Sequence, residues 1–397
     1  MKNKNKIFSF FDVAVVVVIT SVIMYFLGGL LIFRHLGGVN YSLLGNDEKL
    51  QEFISAYNGI VNNYYDSLDK DALIDGAING MYSTIDDPYT TYLDSDNTNY
   101  LNDSLSGKYE GIGIRIEATD EAVKVIEVFE DSPAKKAGIQ VGDIITEING
   151  KPITSNNTTD AVNMIKKSEN EEVKIVVNRN GSSLTFDVKI DDLLVPVVDV
   201  KLLNRNNQNV GYIKLSIFND TADVQFENAL SKLENSGISS LIIDLRGNTG
   251  GYLEVAKNIA EMFLEKNKII YSLENKDSKE TYKDKTSEKR NYKVVVLTNG
   301  SSASASEILA AALKYSYGAT LIGEKTYGKG KVQERASLTD GTTVKYTTAK
   351  WLTPKGDCID EVGLSPDYEV AFDEENYNVD DIYSDSQVIY SLNYLVG

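Results

Sequence analysis

This 397-residue chain contains one cysteine, Cys358, and one histidine, His35. A single cysteine cannot close an intrachain disulfide, and no Cys/His cluster exists for a structural zinc site. A Ser-His-Asp triad and a Cys–His dyad would both have to use His35, so any hydrolytic chemistry elsewhere in the chain needs a different base. Basic charge is also scarce: 40 Lys and Arg stand against 58 Asp and Glu, a formal net charge of −18. A nucleic-acid binder needs basic surface to neutralise phosphates, and this balance argues against that class. Hydrophobic residues make up 42% of the chain, enough for ordinary cores. The length allows about two to four domains.

One long apolar run is present. Lys2, Lys4 and Lys6 precede it, and from Val13 to Phe33 there are 21 residues without a charge. As a helix, such a run spans the roughly 30 Å of bilayer hydrocarbon. Three lysines before the run, against Arg34 and then Asp47 and Glu48 after it, predict a cytoplasmic N-terminus. The expectation is a single-pass protein of the cell membrane with the bulk of the chain extracytoplasmic. A cleaved signal peptide is the rival reading, but its apolar region would be shorter, and no small-x-small cleavage site lies near Arg34. His35 then falls at the membrane interface, a poor place for a catalytic base. The chain divides into a basic N-terminus (1–10), an anchor (11–33), a helical region (34–105), a β-rich domain (106–192) and an α/β domain (193–397).

In the helical region, Leu50, Phe53, Ile54, Tyr57, Ile60 and Val61 recur at helical steps. A second helix is predicted over Asp71–Ser83, stopped at Asp86-Asp87-Pro88-Tyr89 because the residue before proline is pushed out of the α region. The paired acids Asp86 and Asp87 read as a solvated turn. The next domain shows short β-rich runs at Gly111–Ile116, Val123–Val128, Asp143–Ile148, Val173–Val177 and Leu184–Ile190, punctuated by Asn149-Gly150 and Asn180-Gly181. Small helices are expected after Ser132-Pro133 and over Thr159–Lys167. From about Val195 strands alternate with helices, which implies an α/β core with a largely parallel sheet. Glu274–Arg290 is charged and aperiodic and reads as an exposed loop. Lys331–Leu338 and Thr342–Trp351 read as a hairpin around Asp340-Gly341.

Three stretches of the α/β domain could carry chemistry. Asp244-Leu-Arg-Gly-Asn-Thr-Gly-Gly251 is a glycine-rich turn after a buried strand, able to bring backbone N–H groups close to a ligand. Asn299-Gly-Ser-Ser-Ala-Ser-Ala-Ser-Glu307 leaves a serine at a helix N-terminus, where oriented amides favour an oxyanion. Ser304-x-x-Glu307 also reads as a plain capping box, and spacing alone does not choose among Ser301, Ser302, Ser304 and Ser306. Gly323-x4-Gly328-Lys329 looks like the start of a phosphate-binding loop. Gly330 follows, however, where Mg²⁺ binding needs Ser or Thr, and strand character follows that, so a nucleotide site is rejected. A lysine between two glycines near an apolar sheet can be desolvated, which lowers its pKa and makes it a general base.

The segment Tyr109-Glu-Gly-Ile-Gly-Ile114, with Ser132-Pro-Ala-Lys-Lys-Ala-Gly138 and Val141-Gly-Asp-Ile-Ile-Thr-Glu-Ile-Asn-Gly150, resembles a PDZ domain. The chain beyond residue 45, taken in order, resembles the carboxyl-terminal processing proteases, serine peptidases of family S41. The motifs are Gly80-Met81-x4-Asp86-Asp87-Pro88-Tyr89, the PDZ module, the 244–251 turn, Ser302-Ala-Ser-Ala-Ser-Glu307 and Thr326-Tyr-Gly-Lys-Gly-x-Val-Gln333. Thr353-Pro-Lys-Gly356 and Gly363-Leu-Ser-Pro-Asp367 complete the set. The resemblance implies a multidomain α/β protein: transmembrane helix, helical N-terminal region, PDZ domain, and a ClpP/crotonase-like peptidase core with a C-terminal β-rich segment. It implies Ser304 as nucleophile, Lys329 as base and Gln333 as the residue that hydrogen-bonds and orients the lysine. It also implies an oxyanion hole from the amides of Ala305 and Gly250. Gly111, Ile112, Gly113 and Ile114 would form the PDZ loop that captures a C-terminal carboxylate. No cofactor or metal is implied. The expected partners are proteins or peptides with free, apolar C-termini and the cytoplasmic membrane, with a homodimer admitted. The alternative is a PDZ-centred scaffold with an inactive peptidase domain.

Overall fold

The computed structural model describes residues 47–119, 122–154, 161–162, 164–165, 172–287, 289–338 and 341–397. The expected span Val13–Phe33 and His35 lie outside them, as do most residues of the helix expected over Thr159–Lys167. Among the described residues, no helix is long and apolar enough to cross a membrane. The chain forms two compact units, Met1–Ala77 and Ile78–Gly397. In the first, α1 (Glu48–Asn63) is opened by Asp47, whose carboxylate accepts from the Lys49 and Leu50 amides. Helix α2 (Lys70–Ser83) begins in the first unit and ends in the second.

In the second unit, the region expected to be helical throughout is interrupted. Strand β1 (Thr91–Leu93) precedes α3 (Ser95–Ser106). The reason is tertiary: Tyr92 is buried, and β1 finds a distant strand to pair with. The β-rich domain comprises β2 (Lys108–Gly111), β3 (Ile114–Ala118), β4 (Val123–Val128), α4 (Pro133–Ala137), β5 (Ile144–Ile148), β6 (Lys151–Pro152), β7 (Glu172–Arg179), β8 (Ser182–Lys189) and β9 (Asp191–Leu194). Its sheet runs β3-β4-β5-β7-β8, with β6 on β5. Val173, Ile175 and Val177 alternate inward along β7 to meet Val123, Val125, Ile145 and Ile148, as period-2 patterning requires. Helix α4 is opened by Ser132, whose hydroxyl accepts from Lys135 N, and ends at Gly138 with φ 96°. The single strand expected over Gly111–Ile116 is broken. Ile112 turns into the core, Gly113 sits at φ 85°, and β2 leaves this sheet to pair with β9.

The α/β domain continues with β10 (Val198–Arg205), β11 (Gln208–Leu215), α5 (Ala222–Asn235), β12 (Ser240–Asp244), α6 (Leu253–Glu261), β13 (Ile269–Glu274), β14 (Lys279–Lys283), β15 (Lys293–Thr298), α7 (Ala305–Ala312), β16 (Thr320–Gly323), β17 (Lys331–Ser337), β18 (Thr343–Leu352), β19 (Tyr368–Glu369) and α8 (Ser386–Val396). The main sheet runs β10-β11-β12-β15-β16-β19, parallel except for the β10/β11 pair. All five residues of β12 are buried, as expected of a parallel strand covered on both faces. Helices α5, α6 and α7 share one core with the sheet, and α8 closes a second core with Leu203, Ile242 and Val295. The second sheet runs β1-β18-β13-β14, with β17 also on β18.

Two expectations are corrected. Glu274–Arg290 is not wholly a loop: β14 pairs with β13, and Tyr282 stacks on Tyr271 at 4.6 Å. Its lysines and glutamates occupy an exposed edge and hide the strand pattern. The C-terminal segment is not simply β-rich. The β17/β18 hairpin forms, but the described chain closes on α8, whose Val388, Leu392 and Leu395 cover the sheet.

Candidate active site

Strands β12, β15 and β16 are adjacent and parallel, and the three stretches singled out by sequence are the loops leaving their carboxyl ends. This is where open α/β sheets hold ligands. The loops meet at a cavity of ≈ 320 Å³ whose lining includes Gly250, Ser304, Lys329 and Gln333.

The serine ambiguity resolves through burial. Ser302 Oγ donates to Leu245 O at 2.8 Å, and Ser306 Oγ donates to Asn248 O at 2.8 Å. Both hydroxyls thus tie this loop to the 244–251 turn. Ser301 is exposed on the outside of the loop. Of the four serines, only Ser304 lines the cavity. It precedes α7 with φ 55° and ψ −114°, a backbone region that favours glycine. The Ser304/Glu307 pair has the sequence of a capping box, but the Glu307 amide bonds the Ser304 carbonyl oxygen at 2.9 Å, while Glu307 Oε2 accepts from the Ser304 amide at 2.8 Å.

Glu307 does more than cap. It is fully buried. Its Oε1 accepts from Thr326 Oγ1 at 2.6 Å and Gly328 N at 2.7 Å, and its Oε2 also accepts from Lys329 N at 2.9 Å. One carboxylate therefore ties the serine turn to the lysine turn. Burial pushes this carboxyl up, and the hydrogen bonds it accepts work against that shift. The lysine turn is fixed from its other side as well: a Cβ on Gly330 would lie 2.7 Å from Asp360 N, and one on Gly328 2.8 Å from Gly363 N. Sequence reasoning saw Glu307 only as a cap, and its spacing from Ser304 carried no sign of the lysine loop.

The Lys329 side chain is half-buried, and its pKa is lowered, first by burial and then by the charge of Lys345, against the opposing pull of Glu307 and Asp87. Gln333 lines the same cavity, and its Nε2 donates to Thr347 Oγ1 at 3.1 Å. Ala305 N begins α7 and lies 3.1 Å from where a Gly250 Cβ would stand, so the two backbones are in close approach. The Gly250 amide donates to Asn248 Oδ1 at 2.9 Å; using it for an oxyanion requires exchanging that bond. Behind the turn, Arg246 is held by Asp244, Asp385 and Gln387, which links the turn to the start of α8. Asp87 is not the solvated turn residue expected. It is half-buried and accepts from Thr90 Oγ1 and Thr347 Oγ1, each at 2.6 Å, whereas Asp86 is exposed. Among the described residues no cluster of His, Cys, Asp and Glu is arranged to hold a metal.

Gly111, Ile112, Gly113 and Ile114 line a separate, narrow pocket of ≈ 70 Å³ with Ile116, Val162 and Ile165. A Cβ on Gly113 would stand 2.2 Å from Ser132 Cβ. Substituting it would disturb the domain before it altered the pocket.

Residues 209–370 match peptidase family S41, residues 111–190 a PDZ domain, and residues 38–97 the N-terminal domain of the activating protease CtpB. The chain is 38% identical to the carboxy-terminal processing protease CtpA of Bacillus subtilis, over 92% of this chain and 77% of that one. It is 36% identical to CtpB of the same organism, over 81% and 67% respectively. The fold is also similar to that of the photosystem II D1 C-terminal processing protease, at 24% identity and a TM-score of 0.50, covering 88% of this chain and 98% of that one.

Proposed function

Because the chain belongs to peptidase family S41, whose carboxyl-terminal processing members are serine proteases, we propose that it cuts protein substrates with a Ser304–Lys329 dyad after capturing their C-terminal tails on the PDZ domain. Neutral Lys329 takes the proton of Ser304 Oγ as that oxygen attacks the scissile carbonyl. The amide of Ala305, at the positive end of α7, is the first donor to the developing oxyanion, and Gly250 the second. The lysine ammonium then protonates the departing amine, and water hydrolyses the acyl-serine. Ile114, Ile116, Val162 and Ile165 receive the apolar terminal side chain, with backbone amides at Gly111–Gly113 for the carboxylate. The uncharged run Val13–Phe33 anchors the chain in the cell membrane, N-terminus inside.

The observation that carries this reading is that Ser304 and a lysine of lowered pKa line one cavity and are joined behind it by one buried carboxylate, Glu307. The test uses an unstructured protein with an apolar C-terminus. Ser304→Ala, Lys329→Ala and Lys329→Arg each reduce its turnover by about 10⁴-fold or more, and the Ser304/Lys329 double variant is no worse, since a coupled pair is non-additive. Arginine fails because its guanidinium stays protonated. Near-normal turnover by Lys329→Arg would remove the lysine from the role of base. Equal turnover of free and amidated C-termini would remove tail recognition, and full inactivity of the wild type with tight tail binding would return the scaffold alternative.

A further inference from the structure

We infer that the Asp87–Tyr89 turn is a positioning element for the catalytic lysine: Tyr89 presents its ring face to the Lys329 ammonium, and Asp87 holds Thr347 of β18, which accepts from Gln333 on the neighbouring β17. The inference rests on the reading of Lys329 as the base. Lys329 Nζ lies 4.8 Å from the centre of the Tyr89 ring, within the range at which a ring face attracts a cation. The ring is placed by the sheet. Tyr89 leads directly into β1, which pairs with β18 in the register Thr91↔Lys345. The turn is locked by Asp87, which accepts from Thr90 and Thr347, while the Thr347 amide donates to Thr90 Oγ1 at 3.1 Å. Thr347 also accepts from Gln333 Nε2, so a chain of hydrogen bonds runs Gln333–Thr347–Asp87. Lys331 Nζ completes the cluster, 3.6 Å from Asp87 Oδ1 and 5.8 Å from the same ring.

The ring suits what this lysine must do. Charged groups act on Lys329 from three elements: Lys345 from β18, Glu307 from α7 and Asp87 from the turn, while Lys331, at the start of β17, lies beside Asp87. Burial and Lys345 favour the neutral form that accepts the serine proton, and Glu307 and Asp87 favour the ammonium. A carboxylate in direct contact would hold the lysine protonated before the reaction. A ring face attracts the ammonium more weakly, stabilising it as it forms on proton transfer without preventing the neutral state. Tyr89 itself stays uncharged, because burial and its hydrogen bond with Tyr327 push its phenol up to about 12.

The experiment measures, against pH, the rate at which a small fluorophosphonate labels Ser304, a readout that bypasses tail capture. In Tyr89→Leu the ammonium loses its ring, so the midpoint of the rising limb moves down by about half to one pH unit and the plateau rate falls several-fold. Tyr89→Phe keeps the ring face and restores the wild-type midpoint. Tyr89→Trp, with the stronger ring, moves it upward and covers the case in which the leucine variant does not fold. A leucine profile superimposable on wild type, a phenylalanine profile shifted as far as leucine's, or an unmoved tryptophan midpoint would overturn the inference. Normal labelling of Lys329→Arg would instead overturn the reading of Lys329 as the base, whatever Tyr89 does.

Discussion

Ser304 is held at φ 55° and ψ −114°, where a Cβ is strained, although a glycine would fit without cost. The proposed nucleophile thus lines the cavity in a backbone conformation that is disfavoured for serine. Two inactive variants separate these effects. Ser304→Gly relieves the strain and Ser304→Ala keeps it. The glycine variant is therefore expected to be more stable than the alanine variant by about 1 kcal/mol, the strain minus the entropy glycine loses on folding. Urea unfolding of the two measures this, and an alanine variant of equal or greater stability would contradict it. At the same scale, the serine at a helix N-terminus, the lysine between glycines and the lack of a usable histidine were legible in sequence. Which of four serines lines the cavity with Lys329 was not, because Ser302 and Ser306 are distinguished only by the carbonyls of Leu245 and Asn248, some 57 and 58 residues away.

Helix α8 closes the second face of the main sheet and also supports the active-site turn. Asp385 accepts from the Gln387 and Val388 amides as its N-cap, and it pairs with Arg246 at 2.8 Å. Asp385→Ala therefore removes both a cap and a partner of a largely buried guanidinium. Because Asp244 and Gln387 still hold Arg246, the loss is about 1.5 to 3 kcal/mol for the charged hydrogen bonds with about 1 more for the cap. Asp385→Asn retains capping ability and gives up only the charge, so it should recover about the cap's share. Denaturant unfolding reads both, and equal destabilisation by Ala and Asn would rule out the capping contribution. Strands and helices such as β4 and α1 were visible from periodicity. Strand β1 and strand β14 were not: three residues carry too little pattern, and a charged edge strand looks like a loop until its partner is known.

Over the whole molecule, the charge of −18 is unevenly distributed. The cavity of the proposed dyad is lined by Lys329, Lys331, Arg335 and Lys345, with no Asp or Glu among the described residues that line it. Such a cleft attracts substrate carboxylates. Tail substrates with Asp or Glu beside the cut should be processed several-fold faster than lysine counterparts at about 0.05 M salt, with the ratio collapsing towards one near 0.5 M as screening shortens. A ratio indifferent to salt would show that the cleft's field does not reach the substrate. The sequence alone determined the alternating α/β core, the glycine-rich turns, the serine and lysine candidates and the PDZ motifs. Each is set by local periodicity, by turn chemistry or by a composition that excludes the alternatives. Only the tertiary structure decided that Glu307 joins the serine loop to the lysine loop and that Asp87 is bonded and half-buried. It alone set Tyr89 under Lys329. Those facts depend on β1 meeting β18 and on three strand ends lying side by side, and contacts between segments so far apart in the chain leave no mark on the local pattern of either.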